Sequence, residues 1–307
     1  MITLNSEKGL VQIEDWSDIE SRPGFVKNLD PSVHTLKSII GRYIFADKIR
    51  CGLSNCHTPH AKGYIVVTED GHETNIGKDC GKTYFGIEFE RMSGQFERDL
   101  ADFQNREILA TFAFHLDELT ARVESLRNGE RGADWAHRMM RPLLTIGAGC
   151  PDTVVRKLTA MIRSRNPEVT IERRATEQES QEIEVSAGRR VPRPHYISES
   201  IGRIPGMEAL YPENDLRELL IIDLQKHIAE FRTLSIGDLT HAVLRHWAKW
   251  TATVESTLDR ASNAVANARR LLRATGLDPL LKSLPDDDQR QFSTFIRRLE
   301  GETSSAH

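Results

Sequence analysis

The chain of 307 residues is short of cysteine, of long apolar runs and of excess positive charge, and each shortage excludes a class of protein. Four cysteines are too few to staple a chain of this length, which argues for a reduced, cytoplasmic protein over a secreted disulfide scaffold. The longest strongly apolar stretch, Leu219 to Ile222, falls far short of the roughly 20 residues that cross a bilayer, so no membrane partner is expected. The opening Met1-Ile2-Thr3-Leu4-Asn5-Ser6-Glu7 lacks the basic-then-apolar pattern of a signal peptide. A formal net charge of −4 gives no global signature for DNA or RNA. Enzyme motifs are missing too: there is no phosphate-binding Walker loop, no Gly-x-Ser-x-Gly, no His-Glu-x-x-His and no carboxylate pair in an apolar setting. The chain reads as non-enzymatic.

What is present is concentrated. Three of the four cysteines fall between positions 51 and 80, in CGLSNCHTPHAKGYIVVTEDGHETNIGKDCGKTYFG. Thiolate and imidazole are the ligands Zn²⁺ prefers, and a structural site takes four of them in a tetrahedron. Tyr64-Ile65-Val66-Val67 followed by Asp70-Gly71 predicts a β-hairpin with a two-residue turn. That register pairs Glu69 with His72 and carries Ala61 opposite Cys80, so His60 lies beside Cys80 at the open end. His72 is held at the tip, roughly 20 Å away. Cys51 and Cys56 fold back to the open end as a knuckle. The expected ligands are Cys51, Cys56, His60 and Cys80, with His57 in reserve. Glu69, Asp70 and Glu73 lie near the turn, away from the expected metal, so the site reads as structural and not catalytic.

A knuckle, a hairpin and then Ile76-Gly77-Lys78-Asp79-Cys80-Gly81 leading through Phe85-Gly86 into a helix resembles a treble-clef or zinc-ribbon module. Similar Gly-x-x-Cys hairpins occur in proteins of phages and mobile elements. The resemblance covers about residues 48–90 and departs from the usual treble clef in having one ligand, Cys80, near the helix start where two are usual. It implies zinc and a module of a kind that commonly binds nucleic acid or protein.

Ahead of the module, Leu10 to Ile13 reads as an edge strand, Asp30-Pro31 as the start of a helix reaching about Gly41, and Arg42 to Phe45 as a short strand. Behind it, Phe89, Met92, Phe96, Leu100 and Phe103 step by three or four residues, and Leu109, Phe112, Leu116, Leu119, Val123 and Leu126 continue the stripe. The spacing predicts one long helix over about 87–127, broken at most once near Gln104-Asn105, with coiled-coil pairing as its natural use. Two further helices are expected around Trp135–Leu144 and Thr153–Arg163. Asp215 to Phe231 reads as another helix. A heptad-like pattern from 236 through Trp247, Trp250, Val254 and Leu258 predicts a long helix ended by Gly276 and Pro279, before a last helix beginning at Pro285.

The fold class expected is mainly α. A small N-terminal zinc-binding α+β module with one β-hairpin (1–90) precedes a long helix and basic helical pair (91–165), a charged linker (166–200) and a C-terminal helical bundle (201–307). Residues 131–165 are the most basic stretch, and Arg138, Arg141, Arg156, Lys157 and Arg163 are the candidate phosphate-binding residues. Lys37, Arg42, Lys48, Arg50 and Lys62 add a second cluster, faced only by Asp47. The function expected is a zinc-containing nucleic-acid-binding accessory protein with DNA or RNA as partner. The alternative is a protein-interaction scaffold in which zinc is purely structural and the helical seams bind a second copy or another protein.

Overall fold

The computed structural model describes residues 1–6 and 9–304. Helix predominates, beside a small antiparallel sheet. None of the described helices is long and apolar enough to cross a membrane. The chain forms two compact units, 1–111 with 235–249, and 112–234 with 250–307.

The first unit is built on five strands, β1 (Ile2–Ser6), β2 (Gly9–Ile13), β3 (Leu36–Arg50), β4 (Pro59–Thr68) and β5 (Glu73–Ile76), in the order β2-β1-β3-β4-β5. A short helix α1 (Trp16–Glu20) follows β2, and α2 (Lys78–Phe114) follows β5. Both faces of the sheet are covered, which explains why residues 64–67 of β4 are apolar without a polar alternate. Tyr64 and Val66 pack with Phe89, Phe96 and Leu100 of α2, whereas Ile65 between them packs with Ile2, Ile19 and Tyr43 on the other face. Trp16 meets Phe25, Tyr43 and Phe45 there, with ring centroids 5.2 to 6.2 Å apart. Glu97 fastens α2 to the sheet by accepting from Tyr64 Oη at 3.1 Å and from Arg42 at 2.7 Å.

Three local expectations are corrected here. No helix forms over 31–41: Asp30 caps a turn through Ser32, and Leu36 onward is strand because its apolar residues are claimed by β1 and β4. The β4–β5 register is displaced by one residue, Tyr64 pairing with Ile76 and Val67 with Glu73. Thr68 and His72 therefore flank a three-residue turn in which Gly71 N–H donates to Thr68 O and Gly71 adopts φ 86°. The long helix breaks at His115, between α2 and α3 (Leu116–Asn128), and not near 104–105; α2 itself bends at Gly86, whose φ of 60° and ψ of −140° interrupt it.

In the second unit α4 (Ala133–Leu144) packs against both α3 and α5 (Asp152–Ser164), α4 and α5 both close to their expected bounds. Residues 166–200 are not a bare connector: β6 (Glu168–Arg174), α6 (Glu177–Ala187) and β7 (Tyr196–Arg203) occupy them, and β6 pairs with β7. Val185 lies in α6. The helix through 216–231 is π-helical over Glu218–Gln225 before α7 (Lys226–Phe231). The pattern expected as one helix from 236 divides into α8 (His241–Thr251) and α9 (Val254–Leu271), separated where Thr253 N–H returns to Trp250 O. Gly276 and Pro279 do not end that helix; they lie inside α10 (Ala274–Lys282), and α11 (Asp286–Ser304) follows. Most of the predicted helical stripe is buried or partly buried, with Phe103 exposed. Phe89, Phe96 and Leu100 face the sheet, while Phe112 lies edge-on to Phe231 and Trp250 at 5.3 and 5.5 Å.

Candidate metal centre

The segment joining β3 to β4 is a tight knuckle. Cys51 N–H donates to Thr58 O at 3.1 Å and Cys56 N–H to Leu53 O at 3.2 Å, which turns the chain back on itself. Gly52 N–H reaches Asn75 O and Ser54 N–H reaches Leu29 O, clamping the knuckle to β5 and to the loop before β3. Leu53 is fully buried beneath it. The third cysteine arrives from the opposite direction: β5 ends at Ile76, Gly77 turns the chain, and Cys80 sits in the first turn of α2. A helix start favours negative charge, which suits a thiolate.

The sulfurs of Cys51, Cys56 and Cys80 all lie within 4.8 Å of one another. Cys56 and Cys80 are 3.2 Å apart at sulfur, too far for a disulfide bond of about 2.05 Å. Burial pushes the Cys51 thiol up, and burial together with the neighbouring sulfurs pushes Cys80 up to about 12. Cys56 moves down: burial opposes its ionisation, but the Thr58 hydroxyl, 3.3 Å from its sulfur, and the Thr58 backbone outweigh that. Cys51 and Cys80, two crowded thiols that resist ionising beside a third that does not, form a donor set that a divalent cation would relieve, because coordination removes the proton and supplies the missing charge.

His60 is not part of that triplet; it lies on β4 opposite Ile49 of β3. Its Nδ1 lies 2.7 Å from Tyr43 Oη, which also receives the Asn75 side-chain amide at 3.2 Å. Its Nε2 is buried and finds no hydrogen-bond partner among the described residues. Burial lowers the imidazole pKa and keeps it neutral, the form that binds metal. Tyr43 is pushed up by burial, with further upward pushes from Cys51 and Cys80, which places its hydroxyl in the same electrostatic neighbourhood as the thiols. A neutral histidine held at one nitrogen by a buried hydroxyl, with the other nitrogen unsatisfied, is the arrangement of an oriented metal ligand. Cβ at Gly77 would stand 2.7 Å from His60 Cδ2, so the absence of a side chain there is what lets the imidazole lie against the start of α2. The three thiols form a group that could hold a metal ion.

His57, the reserve ligand, is exposed at φ 52° and lines a 580 Å³ cavity with Trp16, Phe25, Arg50 and Asn75. Glu73 is engaged by Arg22 at 2.6 Å. Near the hairpin tip, His72 converges with His34 on Asp70, a grouping that sequence spacing did not disclose because His34 lies in a turn read as helix.

Of the candidate phosphate-binding residues, Arg141 and Arg163 line one 540 Å³ cavity of the second unit. His137, Thr145 and Thr159 share its wall, with Met140, Ile162 and Leu216 also lining it. Arg138 and Arg156 are exposed on α4 and α5. None of these four arginines has a carboxylate partner among the described residues, whereas Arg22, Arg42, Arg122 and Arg127 are all paired. Lys157 differs: it is partly buried, which lowers its pKa, and its ammonium donates to Thr170 O at 3.3 Å. In the first unit Arg42 is tied to Glu97, leaving Lys37, Lys48, Arg50 and Lys62 exposed. Comparison with protein-family models, with curated proteins and with solved structures finds no match to this chain.

Proposed function

We propose that Cys51, Cys56, Cys80 and His60 hold one structural Zn²⁺, and that the chain is a non-enzymatic, zinc-containing accessory protein that binds DNA or RNA. The observation that carries the zinc reading is the buried Nε2 of His60, without a hydrogen-bond partner among the described residues, on the strand that follows the thiol knuckle. Leaving a buried polar atom unsatisfied costs about 1–3 kcal/mol, and a metal bond removes that cost. With four protein ligands the coordination shell is closed, so the metal fixes the knuckle, the hairpin and the start of α2 and offers no position to a substrate. Resemblance to the zinc hairpins of phage and mobile-element proteins points the same way.

The nucleic-acid reading is supported by the unpaired arginines of α4 and α5. In a chain with an acidic excess, carboxylates are available to pair, yet Arg138, Arg141, Arg156 and Arg163 have none among the described residues, in contrast to Arg22, Arg42, Arg122 and Arg127. Each guanidinium that replaces a phosphate counterion contributes affinity through counterion release and makes binding fall with salt. Lys157 contributes least, since its ammonium is already engaged. The test is a titration of labelled single-stranded DNA, duplex DNA and RNA across salt. Arg141→Ala and Arg163→Ala are each expected to flatten the slope of log K against log salt by about 0.9 on duplex or 0.7 on single strands. Absence of salt-dependent binding to all three overturns this reading.

The scaffold reading has its own observation. Ile87 and Phe114 of α2 are 78% and 87% exposed, an unusual position for large apolar side chains. If the protein binds no nucleic acid but self-associates or captures a partner, and Ile87→Ser or Phe114→Ser abolishes that, the scaffold replaces the first proposal.

A further inference from the structure

We propose a second metal site at the tip of the β4–β5 hairpin, where His34, Asp70 and His72 bind one exchangeable first-row divalent cation of the zinc, nickel or cobalt class. It is independent of the thiol site, sharing no residue with it. His34 Nδ1 lies 2.8 Å from Asp70 Oδ2, and His72 Nε2 lies 3.5 Å from the same oxygen. The three donor atoms all fall within 4.8 Å of one another. Donors about 2.1 Å from a tetrahedral cation stand about 3.4 Å apart, so the observed spacings bracket what a bound ion requires.

The convergence is built by backbone, not by chance meeting of long side chains. Asp70 lies in the three-residue turn and His72 flanks it opposite Thr68, whose Oγ1 receives His72 N–H and donates to His72 O, both at 3.1 Å. Glu69 N–H donates to Thr35 O at 3.0 Å, and Leu36 pairs with Thr68, which binds the turn to the segment carrying His34. The one-residue shift of the hairpin register therefore matters, because it sets the three-residue turn that offers Asp70 and His72 together. The imidazoles meet edge-on, with centroids 5.3 Å apart and planes at 84°. Two rings that each direct a nitrogen at one carboxylate oxygen are redundant as a salt bridge, since one imidazolium suffices and a second would repel it. They are not redundant as ligands.

Two imidazoles and a carboxylate are the donor set of open zinc and other first-row metal sites, in contrast to the sulfur-rich set at the knuckle. Side-chain exposures of 22% for His34, 48% for Asp70 and 45% for His72 leave the remaining positions to water, so the ion should exchange freely. It would staple the turn to the start of β3 without closing its coordination shell.

Co²⁺ titration of the full chain tests this, because cobalt on thiolate gives sulfur-to-metal charge-transfer absorption and cobalt on imidazole and carboxylate does not. The expected result is two equivalents bound. The first carries the thiolate band; the second, without it, is lost in His72→Ala and weakened at least tenfold in Asp70→Asn. Cys80→Ser should remove the thiolate band and leave the second uptake, so failure at the knuckle is distinguishable from failure here. These residues are partly exposed and outside the core, and the unfolding temperature of each metal-free variant checks that it folds. Uptake of no metal beyond the thiol site, or a non-thiolate equivalent that persists unchanged in folded His72→Ala, overturns the proposal.

Discussion

Replacing Gly77 by alanine tests the fourth ligand without touching any ligand. The added methyl carbon would stand 2.7 Å from His60 Cδ2 and 3.2 Å from both Cγ and Nε2. Carbon atoms in ordinary contact stay at about 3.5 Å or more, so the ring must withdraw by about 0.8 Å. Gly77 is not among the residues with positive φ, which leaves the methyl group as the source of any effect. Metal sites hold their ligands to about 0.2 Å, so the displaced imidazole cannot keep its bond unless the surroundings are forced to yield. Overpacking of this kind costs about 1–3 kcal/mol. In the metal-free protein the ring can turn aside, so the cost falls on the metal-bound state and zinc affinity should drop by about one to two decades. Competition against a chromogenic chelator measures that drop, with circular dichroism confirming an unchanged fold. Unaltered zinc affinity in a folded Gly77→Ala protein would refute His60 as a ligand.

Other expectations follow from the same contacts. Tyr43→Phe deletes the hydroxyl that holds His60 Nδ1, and loss of such a supporting bond should weaken zinc at the thiol site by about 10- to 100-fold while leaving that site filled at saturation, read by the same competition. Phe89, fully buried between α2 and the sheet, should cost about 3–5 kcal/mol on truncation to alanine, measured by denaturant unfolding of the metal-loaded protein. A loss below about 1 kcal/mol would mean that α2 is not seated on the sheet as described.

The sequence disclosed what depends on local chemistry and missed what depends on distant partners. The thiol triplet was legible because Cys51, Cys56 and Cys80 flank a hairpin whose apolar run and Asp-Gly turn both point to strands. Helices α4 and α5 were legible because each carries its own apolar period between clear breaks. Asp30-Pro31 misled, since a good helix start also makes a good turn, and the strand that follows is decided by β1 and β4. The hairpin register slipped by one because Asp70-Gly71 fits a two-residue turn as well as the final pair of a three-residue one. That slip does not bring His72 to the thiols, but it hides the meeting of His72, Asp70 and His34. Residues 166–200 read as a linker because their few apolar residues cannot form a core alone, whereas β6 and β7 pair across more than twenty residues. The π-helical stretch over 218–225 leaves no mark in the apolar spacing.

The most direct test of the central claim is X-ray absorption at the zinc edge of the full chain loaded with one equivalent of Zn²⁺. The account predicts a four-coordinate ion with three sulfurs at about 2.3 Å and one nitrogen at about 2.0–2.1 Å, the nitrogen shell being lost or replaced in His60→Ala. Failure to retain zinc, or a shell without sulfur, would contradict it.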